Sequence, residues 1–295
     1  MKSLKNLLMN GNNHTQLFVV DFCVCHGRRF FLYNHIKMKE GRKMKKNEFG
    51  YYEQIKNWDF SLFDFQTEKL TNWNIYEILK KITNKNSKIL DLGTGGGEKL
   101  LKYFPKVKEI LGTDFSSEMI KTANKNLEES KRKNIFFKVM NNLKMDTHNE
   151  YYDVVVARNT VIDSKQIYKT LNKNGCLLIH GVDKYDCWEL KKIFGKGQGY
   201  FDERPISIID YENVLDAGFK DVELIPIHER QYLKTKSELL LFLLKVPIID
   251  DFCEENKDYY KTQIDEKKLD KYIERNSYDK GIRIVRRYYG IVGKK

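Results

Sequence analysis

Lys88-Ile-Leu-Asp-Leu-Gly-Thr-Gly-Gly-Gly-Glu-Lys-Leu100 carries the decision about the fold. A short apolar run passes directly into glycines, and helical spacing of apolar residues resumes from Glu98 to Phe104. Glycines remove the Cβ atoms that would keep a ligand from the backbone, and the helix that follows opens with free amide groups. Working outward, Ile110-Leu-Gly-Thr-Asp114 reads as the next strand, and Ser116 and Ser117 can cap a helix through Ser130. Further strands are expected at 135–140, 152–157 and 176–180, with a short helix over 166–171. Upstream, Ile75, Ile78, Leu79 and Ile82 stand at helical spacing. Strands alternating with helices at this pitch predict a doubly wound, Rossmann-like α/β fold with a parallel sheet and right-handed crossovers.

Beyond Asp183 the alternation loosens. A helix over 211–217, a strand over 222–227, an apolar helical run over 239–244 stopped by Pro247 and a charged helical stretch over 254–275 are expected, with Ile282 to Val292 as the last strand. The organisation expected is therefore an N-terminal extension (1–43), a helical segment (44–86), a cofactor-binding core (87–183), and acceptor-side elements that complete the sheet (184–295). Lys39-Glu-Gly-Arg-Lys-Met44 can be encoded by purine-rich codons resembling a ribosome-binding site, so residues 1–43 read as a mis-called or poorly ordered extension with translation starting at Met44.

The loop favours one nucleoside ligand over others. In the dinucleotide fingerprint a third glycine belongs at position 98, which is Glu98 here. Asp91 stands just before the glycines, where its charge would repel a pyrophosphate. The same carboxylate suits the ammonium of S-adenosyl-L-methionine, directly or through water. Asp114 lies 21 positions after Gly93 and can accept hydrogen bonds from both ribose hydroxyls; the alternative is a helix N-cap, and the upstream glycines favour the ribose. Asn141 and Asn142 either read the adenine edge or form a plain turn.

At this point the chain resembles the class I S-adenosylmethionine-dependent methyltransferases, from about Ser87 to Asp183. The residues that carry the resemblance are KILDLGTGGGEKL, ILGTDFSSEMI, YDVVVARN and LNKNGCLLIHG. It implies a seven-stranded sheet with an antiparallel last strand and S-adenosyl-L-methionine as cofactor; helical insertions are expected in the C-terminal part. The expected cofactor contacts are Asp91, Gly93, Thr94, Gly95, Gly96, Asp114, Phe115, Asn141, Asn142 and Arg158. A looser similarity, Asn57-Trp-Asp-Phe-Ser61 and Leu240 to Pro247, is to a bacterial branch for which it brings no acceptor.

Departures from family subtypes narrow the chemistry. Ala157-Arg-Asn-Thr160 stands where enzymes acting on exocyclic base nitrogens carry Asn/Asp-Pro-Pro-aromatic, and neither Cys176 nor Cys187 follows a proline as a cytosine-directed nucleophile does. Groups nearest the methyl should come from the loops after strands four and five, which makes Arg158, Asn159, His180 and Asp183 the catalytic candidates. Tyr51, Tyr52 and Trp58 either cover the cofactor or pack as an N-terminal helix. The acceptor stays open among RNA, protein and small molecule, as does the oligomeric state. A non-catalytic nucleoside- or RNA-binding module on the same fold is the rival reading.

Composition bounds the rest. No apolar run approaches the ~18–20 residues needed to cross a bilayer, and no signal-peptide pattern opens the chain. Five cysteines without framework spacing read as reduced thiols in a cytoplasmic protein. Cys23-Val-Cys25-His26 lacks a second pair at finger-like spacing, so no metal is expected. The net charge is +12, and half of it lies in residues 1–43; the remainder reads as a solvated lysine face rather than a phosphate-tracking surface.

Overall fold

A computed structural model describes residues 63–250 and 264–295, together with a small ladder in which Val24–Cys25 pairs antiparallel with Arg28–Arg29. That ladder belongs to a separate compact unit, Met1–Glu40; everything below concerns the unit Gly41–Lys295. The expectations placed on a start at Met44, on Tyr51, Tyr52 and Trp58, and on a helix before residue 264 lie outside the described residues.

The elements in chain order are β1 (Gln66–Lys69), α1 (Ile75–Ile82), β2 (Lys88–Leu92), α2 (Glu98–Tyr103), β3 (Glu109–Asp114), α3 (Ser117–Ser130), β4 (Ile135–Val139), β5 (Tyr152–Arg158), α4 (Ser164–Thr170) and β6 (Leu171–Val182). There follow α5 (Trp188–Phe194), α6 (Ile206–Asp216), β7 (Lys220–Leu233), α7 (Lys236–Lys245), α8 (Glu266–Asn276), β8 (Ser277–Tyr278) and β9 (Gly281–Lys294). The sheet order is β1-β7-β9-β6-β5-β2-β3-β4, with β8 paired to β9 outside that path. Strands β4, β3, β2, β5 and β6 are mutually parallel, and β9 inserts antiparallel to both β6 and β7.

This is the expected Rossmann-like arrangement with its antiparallel last strand. The count differs, however: the sheet has nine strands, because β1 adds to the outer edge of β7 and β8 folds back on β9. Neither strand has a periodic signal in the sequence. Gln66-Thr-Glu-Lys69 is polar throughout and is placed by backbone pairing with Glu229–Tyr232, not by an apolar face.

Both faces of the central strands are covered, as a parallel sheet with helical crossovers requires. Ile89, Val154, Val156 and Leu178 face α1 and α2, packing with Ile75, Leu79, Leu100 and Phe104. Leu90, Leu92, Val155, Leu177 and Ile179 face the other way, against Ile167 of α4 and Val214 of α6. Local signals fix the helix starts. Asn74 accepts from the amides of Tyr76 and Glu77, Ser116 from Met119, and Asp163 from Lys165 and Gln166.

Strands β7 and β9 outrun the rest of the sheet. The last residue pair between β9 and β6 is Tyr288 with Val182, whereas β9 pairs with β7 from Ile282 onward. Residues 281–287 of β9 thus project past the carboxyl end of β6. On this overhang a third apolar cluster forms, with Leu190 and Phe194 of α5, Leu239 and Phe242 of α7, and Leu269 and Tyr272 of α8 around Ile282 and Ile284.

Candidate cofactor and acceptor site

The turn after β2 is held by its own backbone. Gly93 and Thr94 both donate their amides to the Thr113 carbonyl at 2.9 Å. Gly93 is left-handed (φ 73°), and a Cβ there would stand 2.7 Å from Thr160 Cβ and 3.1 Å from the Arg158 carbonyl. The glycine is required by a backbone conformation and by the loop after β5 at once. Gly95, also left-handed (φ 58°), aims its amide at Asp114 Oδ2 at 3.0 Å. Gly96 completes the turn, its carbonyl accepting from Asn126 Nδ2 at 2.8 Å.

Asp114 sits at the carboxyl end of β3, nearly buried, with Oδ1 accepting from the Ser116 amide at 3.0 Å. Burial pushes its carboxyl above the usual range, opposed by the amides of Ser116 and Gly95. Each oxygen keeps a lone pair for an incoming hydroxyl. The N-cap alternative fails: Ser116 caps α3 through its own Oγ. Phe115, half-buried, follows Asp114 at the mouth of the turn.

Asn141 and Asn142 part company. Asn141 is exposed, and its Oδ1 accepts from the Leu143 amide, which is the turn reading. Asn142 is buried; its Nδ2 donates to Thr160 Oγ1 at 2.9 Å, and its Oδ1 has no partner. Thr94 Oγ1 is likewise buried without one. Unmatched buried acceptors cost stability unless a ligand or water meets them.

Asp91 is fully buried and bound by Arg158 in a fork, Nε to Oδ1 at 3.1 Å and Nη2 to Oδ2 at 2.6 Å. The third guanidinium nitrogen reaches the Tyr76 hydroxyl at 3.4 Å. Burial disfavours the charge on Arg158, but the field and hydrogen bonds of Asp91 win and raise its pKa. The carboxylate expected to meet an ammonium therefore already has a cation of its own and exposes no surface. Arg158, expected at the cofactor and among the catalytic candidates, is the residue that holds it.

The other candidates gather at the neighbouring strand end. His180 pairs in register with Arg158 across β5 and β6 and with Gly290 across β9. Its Nδ1 is buried without a partner, and its ring lies 5.2 Å from that of Tyr288. Burial, helped by Arg158 and Arg286, lowers its pKa to about 4, so the imidazole is neutral at physiological pH. Asn159 is exposed and left-handed (φ 51°), and its amide donates to the His180 carbonyl at 2.8 Å. Asp183 is turned to loop building, accepting from the Tyr185 amide at 2.9 Å and from the Ser207 hydroxyl. Asp91, Arg158 and His180 thus form one polar row, whereas Asp183 and Asn159 shape the backbone beside it.

Several residues of this region gave no signal in the sequence. Tyr76 and Thr160 touch Arg158 and Asn142 from elements read only as a helix face and a loop. Trp73 lies where a Cβ on Gly290 would meet its ring at 2.6 Å. Arg286 Nε donates to both carboxylate oxygens of Asp186, at 2.9 and 3.2 Å, a second buried ion pair on the overhang. The thiols stay apart from the row: burial pushes Cys176 up to about 11 at the opposite end of β6, and raises Cys187 as well. Among the described residues no cluster of His, Cys, Asp and Glu could hold a metal ion, and no helix is long and apolar enough to cross a membrane.

Comparison with known proteins identifies the family. Residues 83–277, more than half of the chain, match a family described as a methyltransferase domain. The chain belongs to the class I S-adenosylmethionine-dependent methyltransferase family, and S-adenosyl-L-methionine is the cofactor that goes with it. Over 117 residues it is 36% identical to a ribosomal protein L11 methyltransferase of Alkaliphilus oremlandii, covering 37% of each chain. Over 112 residues it is 33% identical to a release factor glutamine methyltransferase of Flavobacterium psychrophilum, covering 36% of this chain and 39% of that one. The match spans well under half the length of these relatives. A solved candidate methyltransferase of Bacillus halodurans superposes with a TM-score of 0.51 at 17% identity, over 75% of this chain and 98% of the other, a likeness of fold. The site residues fit the cofactor: a turn left-handed at Gly93 and Gly95, a carboxylate with free lone pairs at the end of β3, and an orphaned amide oxygen on Asn142.

Proposed function

We propose that the protein transfers a methyl group from S-adenosyl-L-methionine to an acceptor seated outside the carboxyl ends of β5 and β6. The observation that carries this reading is the convergence of Asp114, the Gly93–Gly96 turn and the unpartnered Asn142 Oδ1 at adjacent strand ends. Asp114 accepts from the ribose hydroxyls, Gly95 and Gly96 admit the nucleoside to the backbone, and Asn142 Oδ1 accepts from the exocyclic amine of adenine. Thr94 Oγ1 and the edge of the Asp91–Arg158 pair serve the amino-acid end.

When bound, the cofactor supplies an electrophilic methyl on a sulfonium. The chain contributes chiefly position, and alignment of reacting groups can lower a barrier by ~7–11 kcal/mol. His180 is neutral at physiological pH, so its unpartnered Nδ1 can meet a hydrogen bond from the acceptor and help to orient it. Arg158 is committed to Asp91 and acts by positioning. The overhang with α5, α7 and α8 stands at the same end of the sheet and forms the acceptor side.

The two curated relatives are named for protein substrates, which makes a protein acceptor the first class to assay; the shared stretch is the cofactor core, so RNA and small molecules are assayed beside it. A cytoplasmic location belongs to this proposal and rests on cysteine usage. Calorimetry with S-adenosyl-L-methionine, S-adenosylhomocysteine and NAD, followed by transfer of labelled methyl into fractionated protein, RNA and metabolite pools, tests the reading. Micromolar binding of the first two and label in one pool are expected. NAD binding, or cofactor binding with no label in any pool, overturns it in favour of a dinucleotide enzyme or a binding module respectively.

A further inference from the structure

The amino-terminal edge of the sheet, opposite the cofactor turn, carries a basic recess that methyl transfer leaves unused. It measures about 840 Å³ and is formed where the last turn of α4, the starts of β6 and β7 and the residue after β9 come together. Lys169, Lys173, Lys220 and Lys295 line it, with Glu150 as the acid among its walls. Lys295 is accounted for: its side chain is 11% exposed, donates to the Leu171 carbonyl at 2.7 Å, lies 3.7 Å from Glu150 and 4.9 Å from the centre of the Tyr168 ring. Lys169, Lys173 and Lys220 are exposed and make no ion pair among the described residues. Three cations held around one concavity repel each other, and an anion that enters relieves them all.

The recess is also long. A second hollow of about 380 Å³ shares Asn174 with it and continues along the same edge past Lys294 to Asn84 and Asn86. Cations, the amides of Asn149, Asn174, Asn84 and Asn86 and the Tyr168 ring thus share one extended edge, with Glu150 and Asp153 as its acids. A single phosphate or carboxylate would occupy only part of it. A strand with a charge at each repeat and hydrogen-bonding sugars and bases between charges matches the whole, and the amides of Asn149 and Asn174 can both donate and accept. We infer that this edge binds single-stranded nucleic acid, with the phosphates on Lys169, Lys173 and Lys220.

The test is fluorescence anisotropy of the full-length protein with a labelled oligouridylate, titrated at several salt concentrations. Parent protein should bind, with affinity falling as salt rises. Lys169→Glu, Lys173→Glu and Lys220→Glu together should weaken binding at least about tenfold and reduce the salt slope by ~2, at about 0.7 per lost single-strand phosphate contact. S-adenosyl-L-methionine affinity should stay unchanged, which shows that the variant folds; the same three positions changed to Gln should move binding in the same direction by less. A variant with Lys37, Lys39, Arg42 and Lys43 changed to Gln should keep the parent's affinity. Absence of binding by the parent, a groove variant that binds like the parent, loss confined to the tail variant, or equal displacement by poly-glutamate would each overturn the inference, the last in favour of an acidic protein surface.

Discussion

Arg158 shows how much can depend on one contact. Its guanidinium neutralises a carboxylate with no access to water, so cutting the side chain leaves Asp91 buried and alone. Arg158→Met should therefore lower unfolding free energy by about 3–5 kcal/mol, read from denaturant melts. Adding Asp91→Asn should return much of that loss, because the uncompensated charge is then gone; a double variant no more stable than the single would refute the account. Asp114→Ala should weaken S-adenosyl-L-methionine binding at least tenfold in calorimetry, with the fold intact. His180 makes a prediction in pH. Its folded pKa of about 4 lies below the ordinary value of 6.5, so between those limits the unfolded chain binds a proton that the folded protein refuses. The contribution of this histidine is constant above pH 6.5 and is lost as pH falls toward 4. His180→Asn should flatten that part of the stability profile, whereas an unchanged slope would assign it to other groups.

At the scale of elements, the loop that follows α5 is pinned from below. Lys191 is 1% exposed, and its ammonium donates to the carbonyls of Lys184 at 2.9 Å and Gln198 at 2.7 Å. Burial lowers its pKa, yet the two carbonyls give its protons somewhere to go. Tyr200, on the same loop, packs its ring 5.2 Å from Trp188, with Phe201 edge-on and exposed. Lys191→Met should free the loop and reduce methyl transfer while leaving cofactor affinity within about twofold; equal loss of both would place the effect in global stability. The elements that sequence made legible are those built on local periodicity: β2 and β3, α1 and α3, the strands at 135–139 and 152–158. Boundaries moved where pairing rather than pattern decides. β6 starts at Leu171 rather than at the expected residue 176, and α6 starts at Ile206 behind Pro205, five residues ahead of the expected start. The glycine turn and Asp114 were readable because the requirement is local. The Asp91–Arg158 fork was not, since its partners are 67 residues apart and meet only when β2 and β5 align.

For the molecule as a whole, ligand linkage gives a measure that needs no acceptor. At a cofactor concentration a hundred times its dissociation constant, unfolding should become about 2.7 kcal/mol harder, seen as a rise in Tm that grows with concentration. Because Met1–Glu40 is a compact unit of its own, removing residues 1–43 should leave both the melt of the remaining unit and this increment unchanged. A large drop in either would show that the first unit supports the second.

The antiparallel strand β9 has a consequence for how the chain is made. It lies between β6 and β7, yet it is the latest strand of the sheet to leave the ribosome. Until it arrives, β6 and β7 each present a bare edge of backbone donors and acceptors where a neighbour should be, and the pairs of β9 with β6 close loops of roughly a hundred residues. Synthesis should therefore outpace completion of the sheet, leaving a nascent intermediate with a central slot that a strand from another chain could enter. Stalled or truncated products lacking Gly281–Lys294 should aggregate, and the hazardous interval in synthesis is the one between the emergence of β7 and that of β9.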